Sequence, residues 1–103
     1  MGTTTKIHGR SAFRAKMTYR DDATDALVDL SQLVLFVEVA GGKIRKPLLA
    51  GAAPTERVIY LTREEVATIP TSATQLTIID ETTPGDESVL GERMIQRVGY
   101  IVR

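Results

Sequence analysis

An all-β protein is predicted: an antiparallel sandwich or small barrel of about six or seven short strands, interrupted by one helical turn near residues 62–69. Three observations predict it. Residues 11–20 alternate between apolar and polar side chains with a period of two. Short runs rich in Val, Ile and Leu recur between Gly, Pro and Asp turn signals. The single stretch Leu61–Pro70 carries both a helix start and a helix stop.

The elements follow in order. Residues 1–10 are polar and Thr-rich, and read as a surface arm that a partner would order. From Ser11 to Arg20, Phe13, Ala15, Met17 and Tyr19 fall on one side of a strand and Arg14, Lys16, Thr18 and Arg20 on the other. Asp21-Asp22-Ala23-Thr24-Asp25 is turn chemistry. Leu33–Ala40 is the most apolar run and short enough for a central strand. Gly41-Gly42 then suits a two-residue hairpin turn at positive φ, with Glu38 opposite Arg45 and Val39 opposite Ile44. Pro47 cannot donate a ladder bond, so that second strand lies at an edge or ends there.

Residues 48–55 read as a loop of small side chains, and Arg57–Leu61 as a strand running into the helical turn. Thr62 is placed to cap that turn, and Glu65 to reach back to the Thr62 N–H in a capping box. Pro70 closes the segment. Residues 75–80 form the next strand, and residues 81–87, with Pro84-Gly85 at their centre, an acidic turn. Residues 89–102 read as a long final strand kinked at Gly91 or Gly99, with Met94, Val98, Tyr100 and Val102 facing inward.

The chain has 103 residues and no break in composition, so one domain is expected over residues 11–103. A chain of this size buries roughly 65% of its unfolded surface, enough for one modest core but not for a deep enclosed site as well. Its 13 basic and 13 acidic residues sum to zero, which argues against nucleic acid as a dedicated partner. Along the chain, however, charge is segregated. Residues 1–20 hold five bases (Lys6, Arg10, Arg14, Lys16, Arg20) and no acid, whereas residues 64–92 hold seven acids and no base. Either the blocks pair and neutralise each other in the fold, or they give a subunit opposite faces suited to assembly. With no cysteine there is no disulfide framework, thiolate nucleophile or cysteine metal cluster. No apolar run reaches the ~18 residues of a membrane span, and Met1–Thr5 leads into no signal-type region, so a soluble product is expected.

Candidate chemistry is sparse. His8 is the sole histidine, sits in the arm, and has no triad or metal partners at suitable spacing. Asp21, Asp22, Asp25 and Asp29 are spaced irregularly and lack the glycine of a calcium loop. Glu64 and Glu65 are adjacent on a helix and point in different directions, so they make no carboxylate dyad. Gly41-Gly42-Lys43 opens a strand rather than a helix and is no phosphate loop. No catalytic, cofactor-binding or metal-ligating residue is therefore assigned, and no enzyme is expected. Candidate protein contacts are Lys6 and Arg10 in the arm, with Asp80, Glu81, Asp86 and Glu87 in and beside the acidic turn.

The order of elements resembles a known group. Tyr19-Arg20-Asp21-Asp22, the run Val28-Asp29-Leu30-Ser31 into Leu33-Val34-Leu35-Phe36-Val37, and above all the strand, helix and Pro step of Leu61–Pro70 carry the likeness. It looks like the immunoglobulin-like β-sandwich domains of tailed-phage virion proteins, such as the N-terminal domain of upper baseplate proteins and similar tail or fibre-attachment modules. The likeness covers residues 15–103 and departs at Leu76–Glu81, where that group carries a Tyr-Asp-containing strand. It implies a structural component of the virion (tail, baseplate, neck or fibre attachment) whose partners are other virion proteins and copies of itself, with no cofactor, small-molecule substrate or membrane. The alternatives are a free-standing carbohydrate- or peptide-binding sandwich, or a capsid decoration protein.

Overall fold

The period-two alternation around residue 15 becomes a strand whose half-buried and exposed positions follow the sequence pattern residue by residue. A computed structural model describes residues 4–8 and 11–98. In order, these form β1 (Thr5–His8), β2 (Phe13–Met17), β3 (Leu35–Val39), β4 (Ile44–Pro47), β5 (Leu49–Ala50), β6 (Arg57–Leu61), α1 (Arg63–Ala67), β7 (Thr74–Asp80) and β8 (Ser88–Val98). The strands make two sheets, a five-stranded one in the order β1-β8-β7-β3-β4 and a three-stranded one in the order β2-β6-β5. Leu61 and Ile59 of the smaller sheet share one core with Val37, Val39, Leu76, Ile78 and Ile95 of the larger. The protein is all-β with a sandwich-like build, as expected.

The hairpin register is the expected one: Glu38 pairs with Arg45 and Val39 with Ile44. Its turn differs in conformation, since Ala40 joins Gly41 and Gly42 at positive φ. The Asp-rich turn is held by Asp21, whose Oδ1 accepts the N–H groups of Ala23 and Thr24 at 2.8 and 3.2 Å. Helix α1 has the full capping box: Glu65 N–H donates to Thr62 Oγ1 at 3.1 Å, and Thr62 N–H donates to Glu65 Oε1 at 2.8 Å.

Three expectations are corrected. Part of the segment read as an arm is the edge strand β1, which pairs in parallel with β8 and buries Ile7. Its single apolar side chain supplies the anchor, and its partner strand lies some ninety residues away, beyond the reach of local pattern. The small-residue loop contains β5, and Gly51 just beyond it lies so close to Glu56 that an added Cβ would meet the Glu56 Cβ at 2.5 Å.

The final strand has the opposite inward parity. Ile95 is fully buried while Met94 faces outward at 36% exposure. Thr74, Leu76 and Ile78 are the inward side of β7, and they pair with Ile95, Arg93 and Gly91. From Gly91 onward, the pairing therefore selects the odd-numbered side of β8. Leu90 is the extra residue of a bulge, since Ile78 pairs with Gly91 and Ile79 with Val89. That irregularity lies beside one of the two glycines singled out for a kink. Gly99, Tyr100 and Val102 lie outside the described residues.

Between β2 and β3 the chain runs without regular structure, and its apolar anchor Leu30 is completely buried. Arg57 holds it there, donating from Nη2 to the carbonyls of Leu30 at 2.6 Å and Leu33 at 2.8 Å. Such charge-assisted bonds satisfy backbone that no strand pairs.

Candidate docking surface

Strand alternation sends every second side chain of the five-stranded sheet away from the core. On that outer face the register aligns one transverse row: Pro47 opposite Phe36, Phe36 opposite Ile79, and Ile79 opposite Val89. The row is apolar across four strands and ends in Val89 at 56% exposure. Phe36 gains its place from the hairpin register, and Val89 from the bulge at Leu90, which turns it outward.

Charge rims the row. The Arg45 guanidinium lies over the Phe36 ring, 4.2 Å from its centroid. Arg45 Nη1 donates to Glu38 Oε2 at 3.1 Å, and Nη2 donates to both carboxylate oxygens of Glu81 at 2.5 and 2.6 Å. The Glu81 hydrogen bond is the largest influence holding the guanidinium above its ordinary pKa. The chain around Glu81 is further stitched to Val34, whose N–H donates to Thr82 Oγ1 while its carbonyl accepts the Glu81 N–H.

On the three-stranded sheet, two cations lie near the Tyr60 ring, Arg14 at 4.9 Å and Lys46 at 5.2 Å from its centroid. Lys46 also donates to Glu65 Oε1 at 2.8 Å. Burial raises the Glu65 pKa, but the bonds from Lys46 and Thr62 outweigh it and leave the carboxyl below its ordinary range. At the far turn, the hydroxyl and N–H of Ser31 lower the Asp29 carboxyl.

The six candidate contact residues are not gathered into one site. Lys6 lies on the edge strand β1 and donates to Gln96, near the end of β8. The acidic turn sits at the start of that same strand, so the two candidates occupy opposite ends of it. Asp80 accepts from Thr82 N–H at 2.9 Å and from the Thr82 hydroxyl, and Glu87 accepts from Gly85 N–H at 2.6 Å. Glu81 is the partner of Arg45, a base from a distant part of the chain. Asp86 is exposed, and Arg10 lies outside the described residues. Sequence reasoning missed the apolar row and Arg45 as its rim, because both appear only once four strands are in register.

The acidic block finds its cations in β4 rather than in the N-terminal block: Glu65 pairs with Lys46 and Glu81 with Arg45. Among the described bases of residues 1–20, the one ion pair is Lys16 to Glu56 at 4.0 Å. The first of the two arrangements, cross-neutralisation between the blocks, does not occur among the described residues. No cluster of three or more potential metal ligands exists among these residues, and no described helix is long and apolar enough to cross a membrane.

No family model matches the chain, and neither a curated protein nor a solved structure matches it.

Proposed function

We propose that this chain is a non-enzymatic structural component of a tailed-phage virion, an immunoglobulin-like sandwich that works by docking to other virion proteins and to its own copies. The observation that carries the docking part is the outward-facing row Pro47–Phe36–Ile79–Val89, an apolar strip half-buried at Phe36 and Ile79 and exposed at Pro47 and Val89, on a sheet face that in a solitary domain is mainly polar. An aromatic ring packed against an arginine, as Phe36 is against Arg45, is a pair of residue types enriched among interface anchors.

Strand order supports the immunoglobulin-like assignment. The order β8-β7-β3-β4 corresponds to the G-F-C-C′ sheet of a variable-type domain, and β2-β6-β5 to B-E-D. The helical turn then falls between the strands equivalent to E and F. The virion assignment rests on the sequence resemblance, and its test is independent of the fold. Mass spectrometry of purified particles from an infected culture is expected to recover the chain in fixed proportion to other tail proteins. Recovery only from the soluble lysate would contradict the virion assignment.

A further inference from the structure

The three-stranded sheet stops short. Its edge strand β2 pairs with β6 on one side, and no described residue pairs with its other side. Alternate residues of Phe13–Met17 therefore aim their N–H and C=O groups away from the sheet. Across from β2 lie Gly91, Arg93 and Ile95 of β8, with β1 lying beyond β8 in the larger sheet. The five-stranded sheet thus extends past the three-stranded one. An open gap of about 350 Å³ remains between them, walled by half-buried Phe13, Ala15 and Met17 and by buried Ile59, Leu76 and Ile78.

Arg93 explains itself on this geometry. It stands opposite Leu76 on the inward side of β8, where a closed sandwich would demand an apolar residue. It is exposed, and its Nη1 donates to Thr5 Oγ1 at 3.3 Å.

We propose that the free edge of β2 receives an extended segment of another protein as a fourth strand, one that alternates acidic with apolar side chains. Pairing on β2 would place one set of the segment's side chains inward, toward the gap beside Phe13, Ala15 and Met17, and the other set outward beside Arg14 and Lys16. Those two bases select acids in the outward set. Lys16 is 68% exposed with its one carboxylate neighbour at 4.0 Å, and Arg14 rests on Tyr60 without an ion-pair partner among the described residues. A second copy of this strand is a poor occupant. Symmetric antiparallel pairing centred on Ala15 sets Arg14 opposite Lys16 of the other copy, a like-charge contact. The proposal deepens the docking reading and rests on it, by naming the chemistry of a partner at a surface separate from the apolar row.

The test uses the full chain in solution and two synthetic peptides, one alternating glutamate with valine and one alternating lysine with valine. Titration followed by amide chemical shifts is expected to show the glutamate peptide perturbing β2 and the gap-lining residues of β8, with the lysine peptide binding at least about tenfold more weakly. The double reversal Arg14→Glu with Lys16→Glu is expected to invert that preference, and its gain of lysine-peptide binding shows that it still folds. Equal binding of both peptides, binding to neither, or shifts confined to the outer face of the five-stranded sheet would each overturn the proposal. So would self-association abolished by the double reversal, which would make a second copy the occupant. None of these outcomes bears on whether the chain is found in particles, so a failure here and a failure of the virion assignment are read separately.

Discussion

Arg45 and Glu81 join the β3–β4 hairpin to the start of the acidic turn through one guanidinium nitrogen that donates to both carboxylate oxygens, at 2.6 and 2.5 Å. The two residues are far apart in sequence, and the contact fixes the turn beside the Phe36 ring. Because Arg45 also donates to Glu38 and lies over Phe36, one planar group performs three tasks that an ammonium cannot combine. Arg45→Lys is therefore expected to lower the melting temperature and to speed hydrogen exchange at the amides of Glu81 and Thr82. Unchanged exchange at those amides would show that the pair is incidental.

The capping box gives a second prediction. Thr62→Ala removes the acceptor for the Glu65 N–H and is expected to cost about 1 kcal/mol in urea denaturation. Thr62→Ser keeps the hydroxyl and should stay near wild type. Equal losses for both variants would point to the Thr62 methyl rather than its oxygen.

The parity of β8 is tested by a pair of truncations. Ile95 is fully buried opposite Thr74, so Ile95→Ala is expected to cost about 2–5 kcal/mol. Met94 points outward, and Met94→Ala should fall within about 0.5 kcal/mol of wild type. The reverse ranking would restore the inward Met94 that the sequence alone predicts.

Glu65 supplies a pH dependence. Its folded pKa is depressed below the unfolded value of about 4.3, so the native state binds fewer protons than the unfolded chain near that value. The stabilisation is complete above the unfolded pKa and is lost as pH falls through the folded one. Glu65→Gln keeps an acceptor for the Thr62 N–H but loses the charge that meets Lys46. The variant is expected to lose less stability than wild type between pH 7 and pH 3, on the order of the reference carboxyl range, when denaturation is followed at each pH. Parallel losses in both proteins would remove Glu65 as a source of acid sensitivity.

These residues also mark what a single sequence makes legible. Thr62 with Glu65, and Glu38 with Arg45, were readable because each pair is fixed by local geometry: one helical turn, or one tight hairpin. The inward side of β8 was not, since both of its sides carry apolar residues and the choice belongs to β7. Thr5–His8 reads as an arm because one isoleucine in a polar segment gives no period, and only pairing with β8 makes it a strand. Arg57 looks like an ordinary strand charge until the fold brings the Leu30 and Leu33 carbonyls against it. The candidate surface was hidden for the same reason. Phe36, Ile79 and Val89 belong to three separate runs, and they become one row only through two registers and a bulge.

Electron cryomicroscopy of the assembled particle tests the docking claim most directly. Density for this domain is predicted in the tail, baseplate or neck, with a neighbouring chain covering the strip from Pro47 to Val89. Particles containing the domain with that strip facing solvent, or particles lacking the domain altogether, would contradict it.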